Sequence, residues 1–186
     1  MKIKWIRTSN NWRHIADAAR TTINKEEGDG EPSSNWKRRM LLAEHSPIRK
    51  LKIEAKFENV LSWVSVHLVR HKYGIEHFVS TRRSDRIGTN RNKLTQDTLV
   101  DHEIEANAQA IINISRKRLC NQASKETREA WKLFLKELEK DEPELVLVCQ
   151  PECLYRGFCP EIYSCGYHKT EKFKKELEEY RRGINE

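Results

Sequence analysis

A chain of 186 residues accommodates one domain or two small ones, which excludes a large multidomain machine. Its 35 Lys and Arg against 28 Asp and Glu give a net charge of +7 and a pI near 9.2, pointing to an anionic partner such as a nucleotide, a nucleic acid or an acidic surface. With 37% hydrophobic and 34% charged residues and apolar stretches from end to end, the composition describes a polar globular protein, and an oligomer sharing its core between subunits fits it. No apolar run approaches the roughly 20 residues that span a bilayer, and the start Met1-Lys2-Ile3-Lys4-Trp5 lacks the apolar stretch of a signal peptide, so a cytoplasmic location is expected. Of five cysteines, four crowd between Cys149 and Cys165, and in a reducing compartment they read as thiols or metal ligands before disulfides.

Residues 2–7 alternate apolar and basic, predicting a short strand, and Asn10 or Asn11 is placed to cap a helix through Ile15, Ala18 and Ala19. A polar loop at 28–34 leads into a helix over 36–44 that stops before Pro47. Residues 48–57 alternate Leu51, Ile53, Ala55 and Phe57 against charged positions, a half-buried strand. Val60, Leu61, Val64, Leu68 and Val69 recur at helical spacing, so a helix over 60–71 delivers Arg70 and His71 at its end, and 77–83 is extended. The longest helical pattern runs over 97–121 with a stripe of Ile104, Ala108, Ile111, Ser115 and Leu119. Helices over 125–138 and 170–182 and a short apolar run at 144–148 complete the chain, without internal repeats. The five tryptophans, Trp5, Trp12, Trp36, Trp63 and Trp131, are scattered and read as core rather than as a base-stacking platform. The fold class expected is α/β: a small mixed or antiparallel sheet from segments near 2, 50 and 78, flanked by helices with one long central helix.

The densest chemical constellation is Arg70-His71-Lys72, seven residues, then Ser80-x-Arg82. In an extended segment Ser80 and Arg82 share a face, a hydroxyl beside a guanidinium fork, which suits a phosphate; the alternative is a solvated basic face. This spacing resembles the signature of flavin-dependent thymidylate synthases, Arg-His-Arg, seven residues, Ser-x-Arg. Glu44-His45-Ser46-Pro47 matches a turn upstream, and the run from Asn107 through Asn113 and Arg118 to Gln122, Ala123 and Glu126 matches a later family segment without a gap, so the likeness covers about residues 40–130. Lys72 stands where Arg is usual, Gln109 replaces an Arg, and His77 and Phe78 take places where Asn or Glu is common.

The resemblance implies an α/β fold of that type, with residues 1–140 as the nucleotide- and flavin-binding domain and 141–186 as a cysteine-rich segment and terminal helix packed on it. It implies methylation of dUMP to dTMP, with methylenetetrahydrofolate as one-carbon donor, FAD as cofactor and NADPH as reductant, in a homotetramer whose sites lie between subunits. Arg70, His71 and Arg118 would be catalytic. Substrate would meet His67, Ser80, Arg82, Arg91 and Arg118, and flavin would meet Glu44, His45, Ser46, Arg70, His71, Lys72, Asn107, Asn113 and Gln122. On one helix, Asn107 and Arg118 would share a side and Asn113 would point elsewhere. The resemblance needs no protein nucleophile, which leaves Cys120 as a buried thiol.

Cys149, Cys153, Cys159 and Cys165, with His168 close behind, are candidate zinc ligands, although their spacing is not that of a common ribbon or finger; the alternative is reduced core thiols. Two further readings stand beside the thymidylate synthase one. The first is a divergent relative that acts on, or only binds, another pyrimidine deoxynucleotide. The second is a basic, metal-containing nucleic-acid-binding protein.

Overall fold

A computed structural model describes residues 1–185. Among them β1 (Lys2–Thr8), β2 (Lys52–Leu61), β3 (Ile75–Val79) and β4 (Leu99–Asn107) form a four-stranded sheet in the order β1-β2-β4-β3, antiparallel throughout. The pattern of β2 explains its place: Ile53, Ala55 and Phe57 are buried while Lys52, Glu54 and Lys56 face outward. A register shift between Phe57 and Val60, with Asn59 in the left-handed region (φ 55), moves the inward parity by one so that Val60 is buried too.

Helices α1 (Trp12–Thr21), α2 (Ser34–Leu42), α3 (Ser62–Val69) and α4 (Ser84–Ile87) precede β4 in sequence. Helices α5 (Ala108–Arg118), α6 (Lys125–Leu138), α7 (Pro143–Val148), α8 (Glu152–Arg156) and α9 (Glu171–Asn185) follow it. Sheet residues Ile53, Phe57 and Ile104, the helix residues Trp12, Ile111, Trp131 and Phe134, and Leu145, Val148 and Cys149 all belong to one buried cluster. Within it the Trp12 indole N–H donates to the Glu142 carboxylate at 2.8 Å, which satisfies one oxygen of a fully buried acid.

The α/β expectation holds, and several boundaries move: the extended segment expected over 77–83 is β3 at 75–79, which leaves Ser80 and Arg82 in the loop after it, and the helix expected over 36–44 lies at 34–42. Residues 46–50 form a 3-10 turn rather than the start of a strand, because Pro47 at its first turn pre-sets φ and supplies no ladder N–H. The helix expected from residue 60 begins at Ser62, its first two positions being taken by the end of β2. The long helix expected over 97–121 is a strand followed by a shorter helix. Val100, His102, Ile104 and Ala106 are buried in alternation and β4 pairs on both edges, so sheet hydrogen bonding wins over the helical stripe. Asn107 closes the strand and caps α5, its side chain accepting from the Ala110 N–H at 2.9 Å. It therefore does not share a helix face with Arg118.

Candidate functional site

Helix α3 ends at Val69 with Arg70 as its C-cap and β3 begins at Ile75, so Arg70, His71 and Lys72 lie in the short connection between them. Gly74 makes that turn possible: its φ is +72, and a Cβ there would stand 2.5 Å from the Asn107 side chain. The Gly74 carbonyl in turn accepts from the Asn107 N–H at 2.9 Å, which ties the turn to the start of α5.

Arg70, Lys72, Ser80 and Arg82 line one open cavity of about 410 Å³, together with Ser62, Ser65, Val66, Val69, Val79 and Val100. Arg82 is aimed by hydrogen bonds from its two terminal nitrogens to the Ser62 hydroxyl (2.8 Å) and the Thr95 carbonyl (3.0 Å). The Ser80 hydroxyl accepts from the Asp101 N–H at 3.0 Å, leaving its own proton to donate. Arg118, on the far end of α5, donates from Nε to Nε2 of His71 at 2.8 Å, so His71 carries its proton on Nδ1. Burial, then the nearby Arg70, pulls the Arg118 guanidinium below its ordinary value. Burial, then Arg118 and His77, depresses His71 to about 4. Among the described residues none of Arg70, Lys72, Arg82 and Arg118 is in an ion pair. Arg70, Lys72 and Arg82 around the Ser80 hydroxyl, with no carboxylate paired to them, make a cavity whose chemistry suits an anion.

Of the other residues singled out by sequence, His67 lies near this cluster, its pKa lowered by burial, then by Arg118 and Arg70, and the rest do not line the cavity. His67 Nδ1 is 3.0 Å from the Thr127 hydroxyl, with its ring edge-on to Trp63. Arg91 sits exposed in a short 3-10 turn away from that cavity, its N–H donating to Ser84. Glu44, in the left-handed region (φ 50), accepts from Arg116, Gln109 and the Tyr155 hydroxyl. The Arg116 guanidinium stacks 3.8 Å over the Tyr155 ring, and Asn113 accepts from Gln109 and Arg116 within the same network. Gln122 donates to the Tyr163 carbonyl at 2.7 Å. Glu44, Asn107, Asn113 and Gln122 thus each make hydrogen bonds within the chain. His45 and Ser46 instead line a second cavity of about 720 Å³ with Arg20, Ser33, Trp36 and Met40.

The four-cysteine set expected for zinc is not assembled. Cys149 is buried in the core with its thiol pushed up to about 12 by that burial, whereas Cys153, Cys159 and Cys165 border a cavity of about 470 Å³ together with Cys120. Among the described residues no group of three or more His, Cys, Asp or Glu is arranged to hold a metal ion. Cys120 was expected to be a buried thiol on the long helix; it lies just past the end of α5 and is partly exposed. Sequence reading also missed Ser62 and Thr95, which aim Arg82, and no local pattern marks either.

The buried imidazoles and Glu44 set an acid response. Burial, then His77, also depresses His102 to about 4. His71 and His102 therefore bind protons in the unfolded chain first, and their contribution is lost as pH falls from 6.5 through about 4. For Glu44, burial acts upward but Arg116, Gln109 and Tyr155 outweigh it, so its pKa is lowered and its contribution is lost below 4.5. Thermal melts from neutral pH downward are expected to fall across that first window and to keep falling, less steeply for these groups, as Glu44 takes over below 4.5. In His71→Gln the upper part of the fall shrinks.

No family model matches the sequence, and no curated protein sequence matches it. Solved structures share its fold. A flavin-dependent thymidylate synthase ThyX from Helicobacter pylori, complexed with FAD and dUMP, superposes with a TM-score of 0.65 at 13% identity over 81% of this chain and 100% of that one. A second structure of Helicobacter pylori ThyX with FAD and dUMP gives 0.64 at 12% identity, covering 80% of this chain and 97% of that one. A UMP/dUMP methylase, PolB from Streptomyces cacaoi bound with 5-Br dUMP, gives 0.59 at 13% identity, covering 84% and 94%.

Proposed function

We propose that the chain is a flavin-dependent methyltransferase that converts dUMP to dTMP, with methylenetetrahydrofolate as one-carbon donor and NADPH as reductant. The observation that carries this reading is the set of unpaired cations, Arg70, Lys72 and Arg82 around Ser80 with Arg118 behind, on a fold shared with proteins crystallised with dUMP or its bromo analogue. Ser80 and Arg82 bind the phosphate, one as hydroxyl donor and the other as planar fork. Arg70 and Arg118 stand where they stabilise negative charge as it develops on the pyrimidine, and His71 holds Arg118 in that orientation. The anchored position of Arg118 lowers the reorganisation needed when the charge appears.

The second cavity offers the donors Arg20, Ser33, His45 and Ser46 beside apolar Trp36 and Met40, a set that fits a planar heterocycle carrying polar edges. His45 and Ser46 there, and Arg70 and Lys72 at the first cavity, would hold FAD. Bound FAD supplies hydride chemistry. Residues 1–140 constitute the nucleotide- and flavin-binding domain in this reading, with 141–186 packed on it. Val66, Val69, Phe78, Val79 and Leu99 are exposed apolar side chains close to the cationic cavity, which supports a homotetramer in which a neighbouring copy covers it. No helix among the described residues is long and apolar enough to cross a membrane, in keeping with the cytoplasmic placement proposed.

The test is stabilisation and turnover. Excess dUMP is expected to stabilise the fold by about 2.7 kcal/mol at a hundred times its Kd, read as a raised unfolding midpoint, and purified protein is expected to take up FAD with the absorbance of a bound flavin. Tritium at carbon 5 of dUMP is then released in the presence of the folate and reductant. Failure of both dUMP and FAD to bind refutes the reading. Strongly salt-dependent binding to duplex without mononucleotide binding would support the nucleic-acid alternative.

A further inference from the structure

His77 and His102 face each other across the β3–β4 pair. Nδ1 of His77 lies 2.9 Å from Nε2 of His102, and Nε2 of His77 lies 2.9 Å from the backbone carbonyl of His71. His102 is fully buried, with its ring 6.2 Å from that of Phe57 in the core, and its Nδ1 has no partner. A carbonyl can only accept, so Nε2 of His77 carries a proton and donates it to His71. The neutral arrangement follows stepwise: His77 Nδ1 is bare and accepts from His102 Nε2–H, and the leftover group is a bare lone pair on His102 Nδ1. The charged arrangement would instead leave a buried N–H unpartnered beside a positive ring, the costlier outcome in the core.

We infer that His77 and His102 form a directional two-imidazole strut running from the core to the His71 carbonyl, and that both act as positioning residues for the Arg70-His71-Lys72 turn. The turn needs such a hold. It links α3 to β3 through a left-handed glycine, its side chains Arg70 and Lys72 are exposed, and its far end is already tied to Asn107. With the carbonyl of residue 71 held by His77, the His71 ring stays in place to accept from Arg118. One strut thus orients cations from two separate elements. Burial pressing His102 down to about 4 is consistent with an uncharged strut at neutral pH.

The inference rests on the nucleotide reading only for its effect on affinity; the strut itself is read from the imidazoles. Nitrogen-15 spectra of the intact protein at neutral pH should show His77 and His102 both protonated at Nε2 and bare at Nδ1, and His71 protonated at Nδ1. In His77→Phe the His71 signals should shift and dUMP affinity should fall roughly 5- to 10-fold, the loss of a positioning hydrogen bond. His77→Gln, which offers a donor and an acceptor on one group, should restore both. Opposite tautomers in the native protein, or a His77→Phe protein whose His71 signals are those of wild type, would overturn the strut. If wild-type protein takes up no dUMP, the proposed function fails, while the tautomers and His71 signals still decide the strut.

Discussion

Under the proposed function, Arg118→Ala is expected to lower dUMP affinity by roughly 10- to 150-fold, about 1.5 to 3 kcal/mol, the range for a hydrogen bond to a charged group. The unliganded protein changes by less than about 1 kcal/mol. The lost bond to His71 is worth about that much, and removing Arg118 also relieves its repulsion with Arg70. In the proposed reading affinity and stability move separately, because the repulsion between Arg70 and Arg118 is offset by a bound anion and by nothing in the unliganded fold. Isothermal titration with dUMP and denaturant unfolding without it check the two halves. An unliganded protein that loses several kcal/mol while keeping its affinity would place Arg118 in the structure instead of the site.

Trp131→Ala costs about 3 to 5 kcal/mol, a large part of the 5 to 15 kcal/mol typical of a domain. Trp131 is 1% exposed, its ring centroid is 4.8 Å from that of Phe134, and its indole N–H donates to the Ser115 hydroxyl at 2.8 Å. That residue joins α6 to α5 directly, so its loss opens a cavity behind the helix that carries Arg118. Trp131→Phe is expected to cost less, about 1 to 2 kcal/mol, since it keeps most of the packing and gives up the hydrogen bond. Urea unfolding of both variants measures the difference. Equal losses would mean that the polar contact dominates over the packing.

Where alternation was regular, as in β1 and β2, local pattern and structure agree, because a half-buried strand writes its period of two into the chain. In β4 the alternation was present too, Val100, Ile104 and Ala106 against Asp101, Glu103 and Glu105, but the inward His102 looked polar and broke the apolar series. The helical stripe through Ile104, Ala108 and Ile111 then crossed a strand–helix junction that only the Asn107 cap marks.

Sequence alone determined the Arg70 to Arg82 spacing and the α/β class, since each depends on periodicity and reach within a few consecutive residues, whereas Ser80 and Arg82 lie in the loop past β3 and share a cavity through the fold. Only the tertiary structure decided that Glu44 pairs with Arg116 beside Asn113, that Cys120 rather than Cys149 joins the other thiols, and that His77 meets His102. Those outcomes depend on segments distant in the chain meeting in space and on which side chains the packed core withdraws from water, and neither is encoded in local spacing.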